Sequence, residues 1–470
     1  MRKVWLIAIE VLAFAAILAV GVWLRAPNLN APLPLPREAP ALLGAAAAGE
    51  GLDARQWPEG VAKAPSPFLC AAAACARFLH EGNEGAPTAR CYRIFGLTLS
   101  ALFLAAIPAL GLRRRGGVFE TADGPLWAMA FAAVSPALVW SGILFDPFAG
   151  QTFAFLALLV AARAYAQWPT YVAAVAFGAL VGVGLAVDPN VAWALLALAP
   201  AMAVGVGWTR LCLYWRTAHV AAMAATLAAV WGALAWLGWA GGELTLPTFS
   251  TTPGTWLRES AWRLVWLCAG GLAALAWLGL TVWGGWRNNR RWARLMAVAF
   301  PLCLAGSLFF DEGGALAVPL ACLTPLMGGV ALSTIPKAWI RGVLGTLVLA
   351  FLAFWLHRTA GEAWESAPER AEQKAAVALL LQAHDAPATH EARIRVLSED
   401  PGACATLLWP LRTAATRVAC DGRFEEADIT LVPEGAQWEP RQAELGRATL
   451  WKGVSFRVFA DRPSAKKGTP

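Results

Sequence analysis

A chain of 470 residues that is 58% hydrophobic and only 15% charged is not a soluble domain, in which about a quarter of residues carry charge. Its 43 glycines, 25 tryptophans and strong alanine bias fit a polytopic helical membrane protein with tryptophans as interfacial anchors. The net charge of +7 does not make it a nucleic-acid binder, because most of the basic residues fall on one side of the predicted spans.

Met1-Arg2-Lys3 leads an apolar run of about twenty residues, longer than the core of roughly 7–15 residues in a signal peptide, with no small-x-small cleavage site after it. Residues 4–24 are therefore predicted as an uncleaved first span, in which Glu10 reads best as snorkelling or pairing with Lys3. A loop over 25–93 follows, the longest between hydrophobic segments. Ten further spans are predicted at about 94–112, 125–144, 149–166, 171–187, 191–207, 218–240, 262–284, 295–310, 315–333 and 342–357. With the N-terminus inside, the inner segments hold Arg113, Arg114, Arg115, Arg163, Arg210, Arg216, Arg287, Arg290, Arg291, Arg294, Lys337 and Arg341. The short outer turns at Asp146, Asp188 and Asp311 hold no Lys or Arg, and the outer loop 241–261 holds only Arg258. That is the positive-inside pattern.

After Arg358 the pattern changes. An amphipathic helix is predicted over 360–385, then short apolar runs (RIRVLS, TRVAC, ADITLVP, TLWKGVSFRVFA) separated by Asp-Pro-Gly, Asp-Gly and Pro-Glu-Gly turns, with ATLLWPLR as a further helix. The expected fold class is an all-α polytopic membrane bundle of about eleven helices with a small C-terminal α/β domain. The domains are expected at 1–357, including the outer loop 25–93, and at 358–470, outside the cytoplasm and ending in a disordered tail. Cys404 and Cys420 would lie where a disulfide persists.

The order of motifs resembles the GT-C superfamily of membrane glycosyltransferases, the group of the protein O-mannosyltransferases and the lipid A aminoarabinose transferases. The first span ends in WLRAPNLNAPLPLPRE, where the family has a Leu-Arg end, a linker and an Asp-Glu pair. KAPSPFLCAAAACARFL stands where the family has a Lys-Pro-Pro-Leu-like segment leading an amphipathic helix, and ARCYRIFG brings an Arg to the head of the second span. Ser135-Pro136, then Asp146 in FDPF, match a Ser-Pro and a second acidic position, and LFFDEGGALAVPLACLTPLMGGVAL matches a late span pair. The chain departs from the family at Arg37-Glu38, where the pair is Asp-Glu, at Asp188, and at Gly314 and Leu316.

The resemblance implies a bacterial multi-pass protein of the inner (cytoplasmic) membrane that moves a sugar from a polyprenyl-phosphate donor to a lipid, glycan or protein acceptor of the cell envelope, on the outer face. Its partners would be that donor, the acceptor and membrane lipids, and no nucleic acid. Such a displacement needs a carboxylate to take the acceptor's proton and cations to hold the leaving phosphate. Glu38 and Asp146 are the candidate catalytic carboxylates, and Lys63, Arg93, Arg37 and Arg258 the candidate phosphate-binding residues. Arg25 reads better as a headgroup anchor. No organic cofactor is implied; the two carboxylates leave a shared divalent metal as an option. Trp57, Trp256 and Trp262 are on the outer side, where one could stack on a sugar. Two other readings stay open: a GT-C-like scaffold without catalysis in envelope biogenesis, and a lipid or solute transporter.

Overall fold

The computed structural model describes residues 2–50, 61–63, 66–81, 86–111, 119–189, 217–239, 291–309, 314–360, 367–385, 393–398, 400–412, 417–420, 429–434, 443–451 and 454–460, with scattered positions in 191–201, in 279–287 and at 436. It is mostly helical and divides into two compact units. One comprises Met1–Ala26, Leu97–Ile143 and Pro147–Ala363; the other comprises Pro27–Gly96, Leu144–Asp146 and Trp364–Pro470.

The first unit is a bundle. It contains α1 (Arg2–Arg25), most of α4 (Ala89–Ala106, extended by a 3-10 turn to Gly111), α5 (Gly124–Val134), α6 (Pro136–Ile143), α7 (Pro147–Gln167) and α8 (Tyr171–Val187). Further along are α9 (Thr217–Trp236), α10 (Arg291–Phe309), α11 (Gly314–Ser333) and α12 (Ala338–Ala360). Among the described residues five helices are long and apolar enough to cross a membrane: Ile7–Arg25, Ala89–Leu110, Pro147–Tyr165, Ala218–Trp236 and Ala338–Thr359. α5 and α6 make a sixth if taken as one bent span. Shorter apolar helices occupy the spans expected at 171–187, 295–310 and 315–333, whereas those expected at 191–207 and 262–284 fall mostly outside the described residues.

The span expected to run unbroken over 125–144 is instead bent by 58° between α5 and α6. The cause is local. Pro136 has no N–H and its ring crowds the preceding turn, so Ser135 adopts an extended conformation. The core of this unit is built from Leu104, Met129, Phe155, Phe300 and Met327, each 2% exposed or less. Within lipid such packing stabilises by close contact rather than by expelling water. α8 meets α9 through Gly178 and Gly182, where the absence of a side chain lets the backbones approach. Two arginines end helices by binding carbonyls: Arg163 donates to Ala109 and Leu110, and Arg341 to Ile335 and Pro336.

The second unit joins the segment after the first span to the C-terminal region. It contains α2 (Ala39–Glu50), α3 (Pro67–His80), the start of α4, α13 (Ala367–Asp385), α14 (Pro401–Leu408, then a 3-10 turn to Leu411) and a five-stranded sheet, on which α13 packs. Its strands are β1 (Arg393–Val396), β2 (Arg417–Cys420), β3 (Ile429–Pro433), β4 (Ala443–Trp451) and β5 (Val454–Ala460), in the order β2-β1-β3-β5-β4. β1 runs parallel to both neighbours, pairing Ile394 with Val418 and Ile429; β3, β5 and β4 are antiparallel. The run TLWKGVSFRVFA, read from sequence as one apolar segment, is divided between β4 and β5, which pair as neighbours. Ser66 caps α3 by accepting from Leu69 N–H at 3.3 Å, with Pro67 at its first position. Asp400 caps α14 in the same way, through Gly402 N–H at 2.9 Å. Gly402 lies so close to Pro36 that a Cβ there would overlap its carbonyl, which fixes α14 beside the segment carrying Glu38. Cys404 is disulfide-bonded; the side chain of its expected partner, Cys420, lies outside the described residues.

Candidate active site

The prolines at 32, 34 and 36 stiffen the chain leaving the first span and bring it to Glu38, whose carbonyl accepts from Ala41 and Leu42 and so starts α2. The Glu38 side chain turns inward and is 1% exposed. Its Oε1 accepts from Leu35 N–H at 3.0 Å and from Nη2 of Arg93. Its Oε2 accepts from Phe145 N–H at 2.9 Å and from Nε of Arg93 at 3.3 Å. Arg93, on α4 and 3% exposed, spends its other donors on carbonyls: Nη1 on Asn28 (2.9 Å) and Ala31 (2.8 Å), Nη2 on Leu33 (3.2 Å).

The count is complete on both sides. An ionised carboxylate offers about four acceptor positions and a guanidinium five N–H groups, and here all of them are taken. Glu38 has no open position for an acceptor's proton or a metal ion, and Arg93 has no N–H left for a phosphate. Together they form a closed ion pair that ties the segment 28–38 to α4 and to the backbone of Phe145.

Asp146 follows Phe145 directly and precedes Pro147, the first residue of α7. Its Oδ1 lies 3.8 Å from Nζ of Lys63, and the two side chains are 34% and 44% exposed. Lys63 is fixed through its backbone: its N–H donates to Pro40 O at 2.8 Å, and its carbonyl packs where a Cβ on Gly44 of α2 would stand. The Phe145 ring is wedged between Phe68 of α3 (centroids 5.2 Å apart) and Tyr92 of α4 (6.1 Å). A carboxylate and an ammonium are thus brought together within reach of solvent, beside a packed and hydrogen-bonded turn.

Of the expected site residues, Glu38, Arg93, Lys63 and Asp146 gather within the second unit, in two kinds of environment: one pair buried and saturated, one pair open. Arg37 is exposed and makes no ion pair with a described residue. Arg258, Trp57, Trp256 and Trp262 lie outside the described residues. Arg25 differs from its expected place at the headgroups: it is 3% exposed and bound to backbone carbonyls inside the bundle. Among the described residues no three His, Cys, Asp or Glu side chains come together as metal ligands. With Glu38 saturated and Asp146 beside a lysine, the two carboxylates do not make a cation site.

Sequence reading missed one cluster. Glu50, at the end of α2, accepts at Oε1 from Tyr92 Oη (3.1 Å) and from Nε and Nη2 of Arg412 (3.4 and 3.3 Å). Arg412 also donates to Pro87 O at 2.6 Å and lies over the Trp409 ring, 4.0 Å from its centroid. Tyr92 meets Trp409 edge-on at 5.9 Å. No local pattern marks Glu50 or Arg412, which stand 362 positions apart.

The apolar spans, the helices that follow the first of them, a small mixed sheet, and a carboxylate–lysine pair just before α7 define a membrane protein whose fold is shared with a solved one. The particular likeness is to ArnT from Cupriavidus metallidurans. Bound to undecaprenyl phosphate, that protein matches with a TM-score of 0.62 over 98% of this chain and 99% of its own, at 14% identity. In its apo state it matches with a TM-score of 0.55 over 87% and 85%, at 15% identity. At such identities the likeness is one of fold, and at that level it bears out the resemblance read from the motifs. No protein-family model and no curated protein sequence matches the chain.

Proposed function

We propose that this chain is a glycosyltransferase that moves a sugar from a polyprenyl-phosphate donor to an acceptor lipid, glycan or protein of the cell envelope. One observation supports it above the others: Asp146 and Lys63 stand 3.8 Å apart and open to solvent, on a fold shared with an ArnT solved bound to undecaprenyl phosphate. Asp146 takes the proton of an acceptor hydroxyl or amine as that atom attacks the anomeric carbon. The bond from this carbon to the phosphate oxygen breaks, and its electron pair leaves with the polyprenyl phosphate. Lys63 meets the charge that develops there, with Arg37 as a second, exposed cation. Glu38 and Arg93 serve this step without touching substrate, by holding Phe145 and the segment 28–38.

We read the membrane part as 1–357, with about eleven spans, and both the site and 358–470 as lying on the outer face of the inner membrane. The positive-inside pattern of the inner loops supports that orientation. Incubation of the purified protein with radiolabelled polyprenyl-phosphate sugars and an envelope extract tests the reading. Transfer that survives both Asp146→Asn and Lys63→Ala would sink it. The Arg37-Glu38 pair favours one other reading, a scaffold that binds lipid-linked sugar without transferring it, because neither residue offers a free carboxylate. Polyprenyl-phosphate binding with no transfer from any donor would support that reading.

A further inference from the structure

The turn that carries Asp146 is fixed at two points. Phe145 N–H donates to Glu38 at 2.9 Å, and one hydrogen bond alone would leave the turn free to swing about it. The second point is the buried Phe145 ring, which stands between Phe68 and Tyr92. Phe68 also meets Phe95, with centroids 5.5 Å apart. Tyr92 is buried too and is held at both ends. Its ring meets Trp409 at 5.9 Å with an interplanar angle of 82°, and its hydroxyl donates to Glu50 Oε1 at 3.1 Å. Edge-to-face pairs are directional, so a shift of one ring moves the preferred place of the next. The same Glu50 oxygen accepts Nε and Nη2 of Arg412, which covers the Trp409 ring and donates from Nη1 to Trp409 O at 3.0 Å. A line of buried contacts thus runs from Arg412 and Trp409 through Tyr92 to Phe145, all within the second unit, as are Asp146 and Lys63.

We infer that Tyr92 is a positioning residue for Asp146, through which Arg412 and Trp409 set how Asp146 meets Lys63. The Tyr92 ring keeps Phe145 from turning about its bond to Glu38, and the next residue along the chain is the carboxylate itself. A displacement of about 1 Å at a reacting pair is enough to cost about 10²-fold in rate. Residues of the C-terminal region thereby gain a part in the chemistry. The inference borrows from the proposed function only the importance of the Asp146–Lys63 pair; the geometry does not depend on transfer.

The test uses zero-length coupling. A carbodiimide joins a lysine amine to a carboxylate only where the two already meet, as Lys63 and Asp146 do at 3.8 Å. The joined 63 and 146 peptides, read by mass spectrometry on the full chain in membranes, report the placement of Asp146 without any substrate, with Asp146→Asn as the blank. Tyr92→Leu removes the ring and is expected to lose the joined product. Tyr92→Phe keeps the ring but releases it from Glu50; it is expected to keep the wild-type Tm and to lose part of the product. Asp123→Asn, in the first unit, is expected to lower Tm and to leave the product at its wild-type level. Full coupling in either Tyr92 variant would overturn the inference: in Tyr92→Leu because the ring is then not needed, in Tyr92→Phe because its tie to Glu50 and Arg412 is not. Tyr92→Phe leaves the packing in place, so it decides even where Tyr92→Leu fails to fold. Coupling lost in Asp123→Asn as well would follow stability alone and would also overturn it. Wild-type protein that couples but transfers nothing sinks the proposed function and leaves this inference standing. Wild-type protein that fails to couple overturns both.

Discussion

Glu38 and Asp146 are both carboxylates at turns, and burial separates them. Removing one partner of a buried ion pair leaves an uncompensated charge, so Glu38→Gln is expected to cost about 3–5 kcal/mol in thermal unfolding of the detergent-solubilised protein. The exposed pair behaves oppositely. Asp146→Asn or Lys63→Ala should change stability by about 0–1 kcal/mol, yet lower transfer by about 10²-fold or more, as loss of a general base or a phosphate contact does. Unfolding and transfer measured on the same three variants separate the clamp from the reacting pair. All four residues were named from the sequence, but their roles were not legible there. The motif order points to Arg37-Glu38 and to Asp146, whereas the saturation of Glu38 depends on Arg93, 55 positions away, and on a backbone N–H at 145.

Among the elements, those governed by local rules were the legible ones. Apolar runs between turn residues mark the strands, whereas Asp400-Pro401, which the sequence presents as a turn, caps α14 and starts it ahead of ATLLWPLR. The break at Ser135-Pro136 was also written in the chain, yet a continuous apolar composition over 125–144 hides it, because hydropathy does not register a missing N–H. A second tie between elements is the ion pair of Arg341, near the start of α12, with Asp123, just before α5, at 2.9 Å. Burial pushes the Asp123 carboxyl up, but hydrogen bonding and the Arg341 charge outweigh it and hold the group below its ordinary value of 3.8. A carboxylate depressed in the folded state adds stability above its unfolded pKa and loses it as pH falls through the folded one. Asp123→Asn should therefore lower Tm modestly near neutrality and leave Tm unchanged below the carboxylate range, where wild type and variant converge in pH-dependent melting.

At the scale of the whole molecule, the segment after the first span and the C-terminal sheet belong to one compact unit, held in part by Arg412 on Glu50 across 362 positions. Pairings at that separation leave no trace in periodicity or spacing, and for that reason the cluster was invisible beforehand. Arg412→Ala should leave the buried Glu50 without its cation; limited proteolysis of the folded protein is then expected to cut faster near 81–87 and 412. The match to ArnT at 14% identity shows how little sequence identity this architecture requires. The central claim is that the open Asp146–Lys63 pair reacts while the buried Glu38–Arg93 pair only holds it. It is tested most directly by the rate of sugar transfer from a polyprenyl-phosphate donor by Asp146→Asn protein, relative to wild type at equal folded amounts. The account predicts a loss of about 10²-fold or more; a rate indistinguishable from wild type would contradict it.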